Sequence, residues 1–159
     1  MMGAGKSTIG RLLAKKLNIR FIDVDKLIEK KEQKSIKKIF KLNGEQYFRD
    51  LEEKVTLQVL RKNEVVIALG GGAFINNVLR KEILKSSISF WLKSDIENLL
   101  KRYKNNNNRP LLKESNLEDE VKKIYHSRKK IYNKANYKIN CDNVGKGFIV
   151  KKIIKLYEK

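Results

Sequence analysis

The sequence predicts an α/β fold in three layers, a parallel β-sheet covered on both faces by helices. Two observations predict it. Short apolar runs rich in β-branched residues recur along the chain, and stretches with helical periodicity lie between them. The apolar runs are nearly continuous rather than alternating, as expected of strands buried on both faces, and strand-helix alternation is the pattern of a parallel sheet. A length of 159 residues suits one domain, residues 1–159, with one sizeable core.

In chain order, a helix is predicted over about Lys6 to Leu17, then a strand over Phe21 to Val24. Two helices follow, about Ser35 to Asn43 and Glu45 to Arg61, separated at Gly44. A strand over Val65 to Leu69 leads to a helix from Val78 to Lys85. A strand over Ile88 to Leu92 leads to one from Ser94 to Tyr103. The last elements are a helix from Leu117 to Asn133, a strand over Tyr137 to Asn140 and a helix from Val144 to Tyr157. Ser94 with Glu97, and Ser115 with Glu118, have the spacing of capping boxes. Lys104 to Asn108 is polar and of low complexity, which reads as a loop, and Arg109-Pro110 marks a helix stop.

The formal charge is +19, from 37 basic and 18 acidic residues. A nucleic-acid-binding protein is therefore the rival from a different class, and it predicts strong salt-dependent affinity. The basic residues are mostly lysines scattered along the whole chain, with no arginine-rich arm, which reads as compositional bias. No nucleic-acid partner is expected, while the charge should draw anionic substrates into a cleft. No run of about 18 apolar residues exists, so no membrane association is expected. The N-terminus lacks the pattern of a signal peptide, and Cys141 is the only cysteine, which fits a cytoplasmic location. A single His126 and a single Cys141 leave no cluster for zinc.

Gly3-Ala4-Gly5-Lys6-Ser7-Thr8 ahead of a helix is most of a phosphate-binding loop. Its glycines let backbone N–H groups turn toward phosphate oxygens, and the helix N-terminus adds partial positive charge. Lys6 is placed to reach the β- and γ-phosphates, and Ser7 to ligate Mg²⁺. The bland alternative is a glycine-rich turn before a helix. The full motif also has a glycine five residues ahead of Gly5 and a strand leading into the loop, and neither is in the sequence. That strand is central in sheets of this type. The expectation is a start upstream and a truncated chain, with an inactive remnant as one reading of it.

Four further features complete an ordered set: Asp23-Val24-Asp25, Phe48-Arg49-Asp50-Leu51-Glu52 after Gly44-Glu45, Gly70-Gly71-Gly72, and Arg109-Pro110-Leu111-Leu112. With the phosphate loop, their order and spacing resemble shikimate kinase from Met2 to the C-terminal helix. The resemblance implies the fold of the P-loop kinases, similar to nucleoside monophosphate kinases, with five parallel strands. It implies a substrate-binding insertion over residues 26–61 and a lid over 104–115. It implies transfer of the ATP γ-phosphoryl to the 3-hydroxyl of shikimate, a step toward aromatic amino acids, with Mg²⁺ as cofactor and a monomer as the working unit. Other small-molecule P-loop kinases, acting on gluconate or nucleotides, are the nearest rivals.

The resemblance also assigns roles. Asp25 orients and deprotonates the attacking hydroxyl, and Asp23 acts on the Mg²⁺ side. By residue type alone, an Asp-x-Asp at a strand end equally suits a cap on the next helix. Gly3, Ala4, Gly5, Lys6, Ser7 and Thr8 bind ATP. Arg109 reaches its phosphates from the lid, Arg102 stacks near adenine, and Cys141 to Asn143 lie near that ring. Arg49 and Arg128 clamp the substrate carboxylate. Independently, Arg128 falls inside the apolar stripe of Val121, Ile124, Tyr125, Ile131 and Tyr132, so its guanidinium needs either a buried acid or an anionic ligand. For Arg49 the alternative is a helix pair with Glu52 or Glu53. Glu52 supports the site. Phe40 and Phe48 wall the pocket or simply pack in the core. Gly70, Gly71 and Gly72 let the backbone approach substrate, or make a tight turn, or both.

Overall fold

The structure is a computed structural model and describes residues 3–104 and 117–158. Its elements alternate as expected: α1 (Lys6–Leu17), β1 (Arg20–Asp23), α2 (Val24–Glu32), α3 (Ile36–Leu60), β2 (Val65–Ala68), a 3₁₀ turn (Ala73–Ile75), α4 (Asn77–Ser86), β3 (Phe90–Lys93), α5 (Ile96–Lys104), α6 (Leu117–Tyr132), β4 (Tyr137–Asn140) and α7 (Lys146–Tyr157).

The strands form two parallel pairs, β1 with β2 and β3 with β4. Arg20 is in register with Val65 and Asp23 with Ala68, while Phe90 faces Tyr137 and Lys93 faces Asn140. No ladder joins β2 to β3 among the described residues. Helices complete the layers. α1 packs on β1, β2 and α7, and α7 also covers β4. α3 packs on α2, α4 and the 3₁₀ turn, and α5 packs on α6.

Local chemistry explains most boundaries. The predicted strand over Phe21 to Val24 ends one residue early, because Asp23 is the N-cap of α2 and accepts from the Lys26 N–H at 3.2 Å. Helix α2 is an element that the sequence pattern does not predict. Ser35 caps α3 by accepting from the Lys38 N–H, and Asn76 caps α4 by accepting from Val78 and Leu79. Caps of this kind are worth about 1 kcal/mol each. Gly44, at φ 83° and ψ 174°, breaks α3 where the separation into two helices was predicted.

One expectation is corrected. Ser94 does not cap α5, which begins at Ile96. Its side chain is buried, and its hydroxyl has no hydrogen-bond partner among the described residues. The start of α5 is instead tied down by Asp142, which accepts from the Asp95 N–H and from Asn98 Nδ2, each at 2.9 Å. Ser115, the other predicted cap, lies outside the described residues.

Apolar side chains gather in two clusters. The larger joins α1, α4, α6, α7, β3 and β4 around residues such as Leu79, Leu99, Val121 and Ile139. The smaller joins α2 and α3 through Val24, Ile28, Ile39, Phe48, Val55 and Val59. It anchors the segment that carries Asp25, Arg49 and Glu52.

Candidate active site

The site is assembled where β1 and β2 end. In parallel α/β sheets the crevice beyond the carboxyl ends of the strands is where ligands bind. Asp23 closes β1, and Ala68, its register partner, closes β2 just ahead of Gly70. Helix α1 starts beside them. Gly5 is its N-cap at φ 82° and Gly3 has φ 71°, left-handed values that favour glycine. No side chain caps α1 and no acid occupies its first turn, while the first-turn N–H groups of a helix have no partner within it. Ala4 is buried and Thr8 exposed.

Ser7 Oγ donates to Asp23 Oδ2 at 2.5 Å, which brings both predicted metal ligands together. Asp23 thus caps α2 with one carboxylate oxygen and meets the phosphate loop with the other. The capping alternative for the Asp-x-Asp pair therefore holds at Asp23. The donor pair fits Mg²⁺, a hard cation that takes one or two protein oxygens and keeps waters and phosphates for the rest. No group of three or more His, Cys, Asp or Glu side chains able to hold a metal lies among the described residues.

Asp25 sits in the first turn of α2. Burial pushes its carboxyl above the usual 3.8. The Lys6 charge pulls it back, while Asp23 and Glu29 push it up. A carboxyl in this setting holds a proton more readily than a surface aspartate.

Arg49, on the second half of α3, is held by two acids. Its Nη1 donates to Glu52 Oε2 at 2.8 Å and its Nη2 to Glu45 Oε1 at 2.9 Å. The helix pair with Glu52 is therefore real. Glu45 replaces Glu53 as the other partner, because Glu53 accepts from Asn76 Nδ2 at 2.5 Å. Burial works against the Arg49 charge, but Glu52 and Glu45 outweigh it and raise its pKa. Glu52 is buried, and its Oε1 has no hydrogen-bond partner among the described residues. Burial raises its pKa, Arg49 lowers it, Asp25 raises it and Arg128 lowers it.

The three glycines are packed against this cluster. A Cβ on Gly70 would stand 2.6 Å from Asp25 Oδ1 and closer still to Glu52 Oε1. A Cβ on Gly72 would stand 2.8 Å from Arg49 Cζ. Arg128 Nη1 donates to the Gly71 carbonyl at 2.9 Å, and the Tyr132 hydroxyl donates to the same oxygen. Arg128 therefore points from the apolar stripe of α6 toward the glycine turn. Phe40 and Phe48 meet with ring centroids 4.8 Å apart, and the Arg49 guanidinium lies over Phe48 at 5.3 Å. Phe48 is buried in the smaller cluster, so the packing alternative holds there.

The family model described as shikimate kinase matches residues 2–158. The chain belongs to the shikimate kinase family. A shikimate kinase of Bartonella quintana (strain Toulouse) is 43% identical over 98% of this chain and 74% of its own length. One from Sulfurihydrogenibium sp. (strain YO3AOP1) is 40% identical over 96% of this chain and 91% of its own length. Among solved structures, the shikimate kinase of Acinetobacter baumannii in complex with shikimate superposes with a TM-score of 0.95 at 34% identity, covering 99% of this chain and 88% of that one. The enzyme from Aquifex aeolicus gives 0.84 at 36% identity, covering 99% and 92%. The P-loop α/β fold predicted from the sequence is thus the family's fold.

Of the residues singled out in the sequence, Ser7 meets Asp23, Asp25 and Glu52 meet Gly70, Arg49 meets Glu52 and Gly72, Arg128 meets Gly71, and the Lys6 charge acts on Asp25, so these ten form one connected cluster. Arg109 and residues 105–115 of the predicted lid lie outside the described residues, as does the side chain of Arg102. Cys141 is buried with its Sγ toward the Ile139 carbonyl, and Asp142 is engaged with α5. Two participants went unassigned in the sequence reading. Glu45 was legible only as part of a motif. Tyr132 was placed in the apolar stripe, yet its hydroxyl reaches the site; its i+4 spacing from Arg128 was the available signal.

Proposed function

We propose that this family member transfers the γ-phosphoryl of ATP to the 3-hydroxyl of shikimate, in the biosynthesis of aromatic amino acids. The observation that carries the reading is the convergence of Asp25, two guanidiniums and a glycine turn next to a phosphate loop. A small acceptor with both a carboxylate and hydroxyls uses all of these groups; a polyol or a nucleoside monophosphate leaves two arginines unexplained.

Phosphoryl transfer asks for positioning and charge stabilisation more than covalent chemistry. In this reading Gly3 to Thr8 cradle the nucleotide phosphates, and Lys6 neutralises charge on the transferring group. Ser7 and Asp23 would hold Mg²⁺, which when bound would supply positive charge to offset that of the phosphates. Asp25 accepts a hydrogen bond from the acceptor hydroxyl and takes its proton as the new phosphorus–oxygen bond forms and the bond from the γ-phosphorus to the ADP oxygen breaks, releasing ADP. Arg128 and Arg49 grip the carboxylate; a guanidinium has five N–H donors, more than either spends on the protein contacts above. Glu52 and Glu45 hold Arg49 in place. The two-helix segment over residues 26–61 serves as the acceptor-binding arm. Arg109 in the lid is assigned to the phosphates.

The test is ADP release coupled to a reporter, with shikimate, gluconate and nucleoside monophosphates offered separately. Turnover with shikimate alone is expected. Turnover only with an acceptor lacking a carboxylate overturns the assignment.

A further inference from the structure

One carbonyl takes two hydrogen bonds from the same helix. Arg128 Nη1 donates to the Gly71 oxygen at 2.9 Å, and the Tyr132 hydroxyl donates to it as well. The two residues are four apart on α6, so they lie one above the other on a single face. A carbonyl oxygen has two lone pairs, and these two side chains are its donors among the described residues. Gly71 itself sits between Gly70, packed against Asp25 and Glu52, and Gly72, packed against Arg49.

The two donors differ in freedom. Tyr132 is buried, at 6% exposure. Its ring packs against Phe74 of the 3₁₀ turn, with centroids 6.4 Å apart, and against Trp91 of β3, at 5.9 Å. Packing on two separate elements fixes the ring and therefore the position of its hydroxyl. Burial pushes that hydroxyl above its usual 10, and the Arg128 charge pulls it back, so at neutral pH it keeps the proton it donates. Arg128 is half-buried and carries five N–H donors on a long stem.

We infer that Tyr132 is a positioning residue for the transfer reaction: its hydroxyl holds the Gly71 carbonyl, which leaves Arg128 able to turn its donors to the acceptor carboxylate without stranding that oxygen. For the carboxylate this rests on the proposed function; for the shared carbonyl it rests on the contacts above. Without the hydroxyl, Arg128 is the one remaining donor to Gly71 among the described residues, and the acceptor competes with the glycine turn for it. Stranding an acceptor costs more than the net worth of the hydrogen bond removed, so that competition weakens binding. Tyr132 touches no reacting atom in this scheme and acts through Arg128 and the turn.

A double-mutant cycle tests it, with Tyr132→Phe, Arg128→Met and the double variant. Phenylalanine keeps the ring and loses the hydroxyl; methionine keeps much of the stem and loses the donors. Without substrate, each single variant leaves the carbonyl one donor and the double variant leaves it none. The fall in denaturant midpoint of the double variant is expected to exceed the sum of the two single falls. Additive falls overturn the shared carbonyl, and so does a single variant that does not fold, because the other donor should cover for it. A double variant that alone fails to fold supports it. With substrate, Tyr132→Phe is expected to raise KM for shikimate by at least about fivefold, with a smaller change in kcat and none in KM for ATP. In the Arg128→Met background the same substitution should leave KM for shikimate within about twofold. An equal effect in both backgrounds, or no effect in the parent, overturns action through Arg128. A parent that turns over only acceptors lacking a carboxylate overturns the proposed function instead, and the denaturant midpoints then still decide whether the carbonyl is shared.

Discussion

Asp25 and Glu52 converge on Gly70, the first on α2 and the second on α3, so that neither leaves room there for a side chain. Burial raises both carboxyls, and the Asp25 charge raises Glu52 further. Lys6 tempers the first and Arg49 the second. The site is therefore a balance of two acids against flanking cations, closed by a glycine.

Gly70→Ala places a methyl group against both carboxyls. Overpacking of this kind costs about 1–3 kcal/mol, so denaturant unfolding should show a loss of that size. Turnover should fall by more than the loss of folded protein explains, because the two acids must separate. A fully active, equally stable Gly70→Ala protein would contradict the close approach.

Asp25→Asn should lower turnover by about 10²- to 10⁴-fold, the range of a positioned proton acceptor, while calorimetry still detects ATP. Turnover within a few-fold of the parent removes Asp25 from that role. The same change bears on stability. The folded pKa of Asp25 is raised, so the folded state holds the proton more tightly than the unfolded chain. Stability is lost as pH rises from 3.8 through the folded value. Asparagine escapes that loss. The variant should melt higher than the parent at pH 7, with the gap vanishing below 3.8.

Carboxyl titration followed by carbon NMR should find Asp25 above 3.8, and kcat/KM should fall on acidification through that same midpoint. In Lys6→Gln the midpoint should move upward, since the Lys6 charge is the principal influence holding it down. A downward movement would show that Lys6 does not face Asp25.

Arg128→Ala removes a charged donor assigned under the proposed function to the acceptor carboxylate. Hydrogen bonds to charged groups are worth about 1.5–3 kcal/mol, so KM for shikimate should rise by about tenfold to a hundredfold with a smaller change in kcat. KM for ATP should stay put. Arg128→Lys should recover only part of the loss, because a lysine cannot bind a carboxylate in two-pronged fashion.

Ser94→Ala discriminates between a cap and an unpaired buried hydroxyl. Loss of a cap costs about 1 kcal/mol. Replacing a buried hydroxyl that has no partner should leave stability unchanged or raise it by up to about 1 kcal/mol. Thermal unfolding of the single variant decides between them.

Much of this architecture can be read from local pattern. The glycine spacing before Lys6, the break at Gly44 and the placement of Arg128 within an apolar stripe each follow from one residue's own chemistry. What escapes is what depends on distant partners. Phe21 to Val24 reads as one apolar run, and only the Asp23 side chain, bonded both to Lys26 N–H and to Ser7, divides strand from helix. The lysine-rich α2 has an apolar stripe of only Val24, Leu27 and Ile28, too short to read as a helix by itself, and these residues find their burial against α3. Ser94 has the spacing of a cap, but Asp142, 48 positions along by number, takes that work because β3 and β4 lie side by side. The arginine partners divide likewise: Glu52 is visible as a helix neighbour, whereas the Gly71 carbonyl that receives Arg128 is not visible from spacing at all.

The bend at Gly44 has its own consequence. Phe40 lies before it and Phe48 after it, and their rings touch across the elbow. Two rods joined at a single permissive residue take their mutual tilt from whatever fills the angle between them. The angle between the two halves of α3 is thus set by the bulk of an aromatic wedge, so under the proposed function a smaller or larger side chain at position 40 would retune which acids fit without altering one charged group assigned to them.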